Sequence, residues 1–107
     1  MKVELIYDTD CPNVPQARAR LITAFAATGL APRWQEWSRS DERSPEYARR
    51  FGSPTILVDG RDISSGSAME GSGACRIYTD AAGQMSGVPP LQNILAALQA
   101  AGPDGPL

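Results

Sequence analysis

Apolar residues fall along this chain in short blocks, and the spacing inside the blocks switches between that of a strand and that of a helix. Val3-Glu4-Leu5-Ile6-Tyr7 is rich in strand-forming residues and stops at the polar Asp8-Thr9-Asp10, which predicts a short buried strand followed by a loop. Beyond it Ala17, Leu21, Ala24, Phe25 and Thr28 share one helical face, and Gly29 supplies a C-terminal stop. Residues 33–37 read as a second strand. Ser44-Pro45-Glu46 then offers an N-cap, a first-turn proline and a first-turn acid for a short helix ending before Gly52. Thr55-Ile56-Leu57-Val58 is a β-branched strand closed by the turn pair Asp59-Gly60.

After this the pattern weakens. From Ser64 to Gly73 the chain is rich in Gly and Ser and shows no period, which reads as an insertion or a lid, the insertion being the simpler account. Arg76-Ile77-Tyr78-Thr79 is a further strand, turning at residues 80–83. It has two possible partners, residues 55–58 or residues 84–88, and only the second returns its start, with Cys75, to the active-site edge where the last helix starts. Leu91, Ile94, Leu95 and Leu98 form a last amphipathic face, and residues 102–107 read as a frayed tail. At 107 residues there is room for one modest core. The expected organisation is one α/β domain over residues 1–101 with a flexible C-terminal tail.

Charge narrows the partners. Ten basic and twelve acidic residues leave a net charge of −2, so neither nucleic acid nor an anionic membrane is an expected partner. The first residues suggest neither a signal peptide nor a membrane span, so a cytoplasmic location is expected. There the two cysteines, Cys11 and Cys75, would stay mostly reduced rather than form a permanent bridge. With no histidine in the chain, Ser-His and Cys-His pairs and His-containing zinc sites are excluded. Chemistry is left to thiols, carboxylates, hydroxyls and backbone dipoles.

Cys11 stands where the first strand gives way to the first helix, a place that favours a thiolate through free N–H groups and the helix dipole. Two registers are open. In one, Cys11 is the N-cap and Pro12 the first helical residue; in the other, Asn13 caps the helix, Pro15 is its second residue, and Gln16 reaches back as in a capping box. Asp8 and Asp10 oppose an anion at Cys11, and Arg18 is the nearest cation that could approach from the following turn. The Asp-Thr-Asp approach favours a surface position for the sulfur. Tyr7, Tyr47 and Tyr78 read as core or rim residues, and Trp34 and Trp37 as packing at the sheet edge.

The segments Cys11-Pro12-Asn13-Val14, "GSPTILVDGRD" beginning at Gly52, and Cys75-Arg76-Ile77-Tyr78, in this order of elements, resemble a group of small bacterial thioredoxin-like proteins. Some members of that group carry the label alkylmercury lyase, and some relatives carry selenocysteine in the active-site motif. The resemblance implies a thioredoxin-like fold over residues 1–101, with a central mixed β-sheet flanked by helices. It also implies a cis Ser53–Pro54 bond beside Cys11, with the backbone of Ser53 offered to an extended substrate. Pro12, Asn13, Ser53, Pro54 and Thr55 would form the substrate-binding surface.

Val14 occupies the position of the second, resolving sulfur, so the usual dithiol route is closed. Three routes remain. Cys11 could act alone on a thiol or disulfide substrate with glutathione as the resolving thiol; it could pair with Cys75; or both sulfurs could bind a mercuric ion or another soft metal. No cofactor is required by the first two. The leading expectation is thiol–disulfide oxidoreductase-like chemistry at Cys11. The alternatives are an organomercurial lyase using Cys11, Cys75 and a carboxyl acid, Asp10 or Asp8, and a noncatalytic binding module.

Overall fold

The computed structural model describes residues 1–64, 68–70 and 76–101. Strand β1 (Val3–Tyr7) leads to helix α1 (Val14–Thr28), strand β2 (Gln35–Ser38), a 3-10 helix (Glu46–Arg50) and strand β3 (Thr55–Val58). Strands β4 (Arg61–Asp62), β5 (Ala68–Glu70), β6 (Arg76–Thr79) and β7 (Met85–Ser86) follow, and helix α2 (Leu91–Ala101) closes the fold. Four strands form a mixed sheet in the order β2-β1-β3-β4, with β2 parallel and β3 antiparallel to β1. The remaining three form an antiparallel sheet, β5-β6-β7. Among the described residues no helix is long and apolar enough to cross a membrane.

Strand alternation divides the core. Val3 and Leu5 of β1, with Ile56 and Val58 opposite them on β3, face α1 and α2 and pack with Leu21, Phe25, Ile94 and Leu98. Ile6 and Leu57 point to the other face, where Ala48 of the 3-10 helix, Trp37, Tyr47 and Phe51 cover them. Glu4 lies on that second face too, 1 % exposed. Its carboxylate accepts hydrogen bonds from Trp37 Nε1 at 2.7 Å and from the Tyr47 hydroxyl, with Lys2 Nζ at 3.8 Å. Two donors and a nearby cation on one carboxylate are what a charge in the middle of a sheet requires.

Helix α1 ends as its sequence predicts. Gly29 takes the left-handed conformation at φ 74°, and the N–H groups of Gly29 and Leu30 return to the carbonyls of Ala26 and Phe25. The Asp59-Gly60 turn is tight, with both residues at positive φ, and it folds β4 back on β3.

Three expectations change, and one open choice is decided. Strand β2 begins two residues later than residue 33, because the parallel ladder opens by pairing Gln35 with Glu4. Ser44 does not cap the following helix; its hydroxyl donates to the Ser38 carbonyl at 2.7 Å, and the segment becomes a five-residue 3-10 helix behind an extended Pro45. The Gly/Ser-rich stretch contains β5, too short at three residues to show a period. And β6 pairs with β5 and β7, so of its two possible hairpin partners it takes the later one, through a turn closed by Asp80 N–H on Gln84 O at 2.9 Å.

Candidate active site around Cys11

Strand β1 hands over to α1 through a turn fixed by its own backbone. The Cys11 N–H donates to the Asp8 carbonyl at 3.0 Å, and the Asp8 N–H donates across the fold to Ser53 Oγ at 2.9 Å. Asp8 is committed on its side chain as well, where both carboxylate oxygens accept from Arg39 Nη1, the closer at 3.0 Å. Asp10 is exposed. The Arg18 guanidinium is engaged elsewhere. It forms a two-point bond with Glu36 at 2.8 and 2.9 Å and lies over the Tyr7 ring, and this contact holds the Glu36 carboxyl below its ordinary range.

Of the two helix registers, the structure adopts the second. Asn13 is the N-cap, Val14 and Pro15 are the first two helical residues, and the Asn13 carbonyl accepts the first helical bond from Ala17 at 3.1 Å. No side-chain capping bond forms, so the capping box is absent. The reason for this register is steric and electronic: as the second helical residue Pro15 lacks only an N–H that would have no intrahelical acceptor. Cys11 therefore lies two residues ahead of the cap. It is 8 % exposed, within a cluster that includes Val14 and Val88, which corrects the expected surface position. Pro12 is exposed and Asn13 half-buried. The Asn13 amide passes so close to Gly87 that a Cβ there would lie 2.1 Å from Nδ2.

On the other side of the Asp8 tie, the Ser53–Pro54 bond is cis, as the resemblance implies. The three residues Ser53, Pro54 and Thr55 are all buried, and β6 grips each of them. The Arg76 N–H donates to the Ser53 carbonyl at 3.0 Å, the Tyr78 hydroxyl donates to the Pro54 carbonyl, and Arg76 Nη1 donates to Thr55 Oγ1 at 2.7 Å. Thr55 in turn donates to the Gly52 carbonyl at 2.7 Å. The Ser53 carbonyl expected to face a substrate is thus already engaged by the chain itself. What Ser53 and Thr55, both 0 % exposed, contribute is the shape of the loop rather than open side-chain contacts.

The cation in this cluster is compensated where it stands. Arg76, 9 % exposed, pairs with Asp62 Oδ2 at 2.9 Å and lies over the Tyr78 ring, 5.0 Å from its centre. Burial pushes the Tyr78 hydroxyl up to about 12, against the opposing pull of Arg76 and Thr55, and the charges of Asp62 and Cys11 add to the rise.

Cys11, Asp8 and the Ser53–Thr55 loop come together, while the carboxylate of Asp10 is turned to solvent. Cys75 lies outside the described residues. Arg76, Tyr78, Asp62 and Gly87 were not among the expected site residues. One signal was available for the first two: spaced two apart in a strand, Arg76 and Tyr78 must share a face, and here it is the buried one, leaving Ile77 half-buried between them. No family model, no curated protein and no solved structure matches this chain.

Proposed function

We propose that this domain is a thioredoxin-like thiol protein in which Cys11 carries out thiol–disulfide exchange. The observation that carries the reading is the tie between the Cys11 turn and the Ser53–Pro54 loop, made by the Asp8 N–H on Ser53 Oγ at 2.9 Å. It joins the first strand-to-helix junction to the start of β3, the arrangement the resemblance implies around a reactive sulfur. The strand order β2-β1-β3-β4, with β3 antiparallel to β1, supports the same reading.

The chemistry balances with a thiol as co-reactant. The Cys11 thiolate attacks one sulfur of a substrate disulfide, forming a mixed disulfide and expelling the other sulfur as a thiolate. Glutathione thiolate then attacks the substrate-derived sulfur, restoring the Cys11 thiolate and leaving a glutathione–substrate disulfide. If Cys75 attacks Cys11 instead, substrate leaves as a thiol and the protein keeps an internal disulfide. The organomercurial alternative needs a proton for the leaving carbon, and the Asp8 carboxylate, paired with Arg39, is poorly placed to give one.

The test is incubation of the full chain with a mixed disulfide of glutathione and a cysteine peptide, followed by mass spectrometry. The expected result is an adduct on Cys11 that disappears when glutathione is added, is lost in Cys11→Ser and persists in Cys75→Ser. A wild type that converts the adduct into an internal Cys11–Cys75 disulfide, while Cys75→Ser retains it, would make the pair, not Cys11 alone, the reacting unit. No adduct on Cys11 in any of these proteins would leave the noncatalytic module, and release of hydrocarbon from an organomercurial would assign the lyase.

A further inference from the structure

We infer that Arg76 is a positioning residue for the reaction of Cys11, holding the Ser53–Pro54–Thr55 loop in the pose against which an incoming disulfide is aligned. The inference rests on the thiol-exchange reading above and assigns Arg76 no contact with the reacting atoms. Arg76 grips the loop at both ends. Its backbone N–H holds the Ser53 carbonyl at 3.0 Å, and its guanidinium holds Thr55 Oγ1 at 2.7 Å, two residues further on. Between them, Pro54 is held by Tyr78 of the same strand. The loop is also the partner of the Asp8 turn, so a shift in its position passes to Cys11 through one hydrogen bond of 2.9 Å.

A purely structural arginine would be an expensive choice here. Burying a guanidinium costs more than burying an apolar chain unless every donor finds an acceptor, and a well-packed apolar residue would usually serve stability as well. What an apolar residue cannot supply is directional donors to both Asp62 Oδ2, at 2.9 Å, and Thr55 Oγ1. Both contacts leave from Nη1, whose two N–H bonds have directions fixed by the guanidinium plane, whereas the freely rotating ammonium of Lys fixes neither. Thr55 is oriented by the same network: its proton is directed at the Gly52 carbonyl, so its oxygen is left to accept from Arg76.

The experiment compares two reactions of the same sulfur in full-length Cys75→Ser protein, where Cys11 is the single thiol. One is adduct formation with the glutathione–peptide disulfide, which needs three sulfurs in line; the other is alkylation by iodoacetamide, a small probe that needs no such alignment. Arg76→Lys is expected to slow the disulfide reaction by about ten- to a hundredfold, the scale of an alignment error of about 1 Å, while leaving the alkylation rate unchanged. Thr55→Val, which deletes only the hydroxyl and leaves the Arg76–Asp62 pair in place, is expected to do the same and serves if Arg76→Lys does not fold. Equal loss in both reactions would overturn the inference, since Arg76 would then act on the thiol or on its exposure. No loss in either would overturn it too, and would leave the exchange reading standing. If the Cys75→Ser parent itself forms no adduct, the failure lies with the exchange reading, and the inference falls with it.

Discussion

Removing one oxygen from the buried network should cost stability at neutral pH and little or none in strong alkali. In Tyr78→Phe the ring stays in a fully buried site, but the Pro54 carbonyl loses its donor. An unsatisfied buried acceptor costs about 1–3 kcal/mol, so the variant should be less stable than the wild type by that amount around neutral pH. Alkali erodes the difference. The unfolded chain releases the tyrosine proton at the ordinary value of 10, whereas the folded protein retains it until about 12. Between these values the unfolded state binds fewer protons than the native state, so the wild type loses stability as pH rises. Two pH units at 1.36 kcal/mol each make about 3 kcal/mol, enough to close the gap to the phenylalanine variant by about pH 12. The other titrating groups are common to both proteins and cancel in the difference. Urea unfolding of the pair at intervals from neutral to strongly alkaline pH measures it, with phenolate absorbance of the native protein as an independent readout. A gap that stays constant across this range would refute the reasoning, because it would mean that Tyr78 titrates alike in the folded and unfolded chains.

Two further outcomes follow from contacts at the edges of the site. In Gly87→Ala the new methyl meets Asn13 at 2.1 Å and should cost about 1–3 kcal/mol in a thermal melt; combined with Asn13→Ala the cost should largely vanish, whereas an equal cost in both backgrounds would place the strain elsewhere. The Arg18 contact depresses the Glu36 carboxyl below its ordinary value of 4.5, so its contribution to stability is present above that pH and is lost as pH falls through the folded value. At half-exposed positions this should amount to under about 1 kcal/mol, read as a difference between wild type and Glu36→Gln that shrinks on acidification.

The elements legible in the sequence are those whose burial follows their own period. Val3–Tyr7 and Thr55–Val58 bury nearly every residue, and α1 shows its inner face in Ala17, Leu21, Ala24 and Phe25. Cys11 could be picked out because it follows the junction at the end of β1, and the cis Pro54 because the resemblance implies it at the start of β3. Strand β6 could be drawn but not understood. Hydropathy assigns Ile77 to the inside, whereas the strand buries Arg76 and Tyr78, and it does so because Asp62, Thr55 and Pro54 wait there from distant parts of the chain. Likewise, the burial of Cys11 depends on Val88, and the committed carboxylate of Asp8 depends on Arg39. None of these pairings leaves a mark in local spacing.

The second face of the sheet is covered by very little. Where two helices pack on one side, the other has a single turn of 3-10 helix that contributes Ala48 and Tyr47, with Phe51 at its end and Trp37 from the neighbouring strand. Much of what fastens this cover is polar, through the bonds from Tyr47 and Trp37 to Glu4. A polar latch differs from an apolar one in what happens when it opens. If the turn lifts, water can take the place of the Tyr47 hydroxyl while Trp37, in β2, and Lys2 stay beside Glu4, so its charge is not left bare. The apolar cost is confined to the small cluster around Ile6, Leu57 and Ala48, and the helix-covered face keeps its contacts. Opening of this layer is thereby separated from global unfolding, so that backbone amides around residues 46–50 can exchange with solvent on their own timescale while β1 and β3 remain paired.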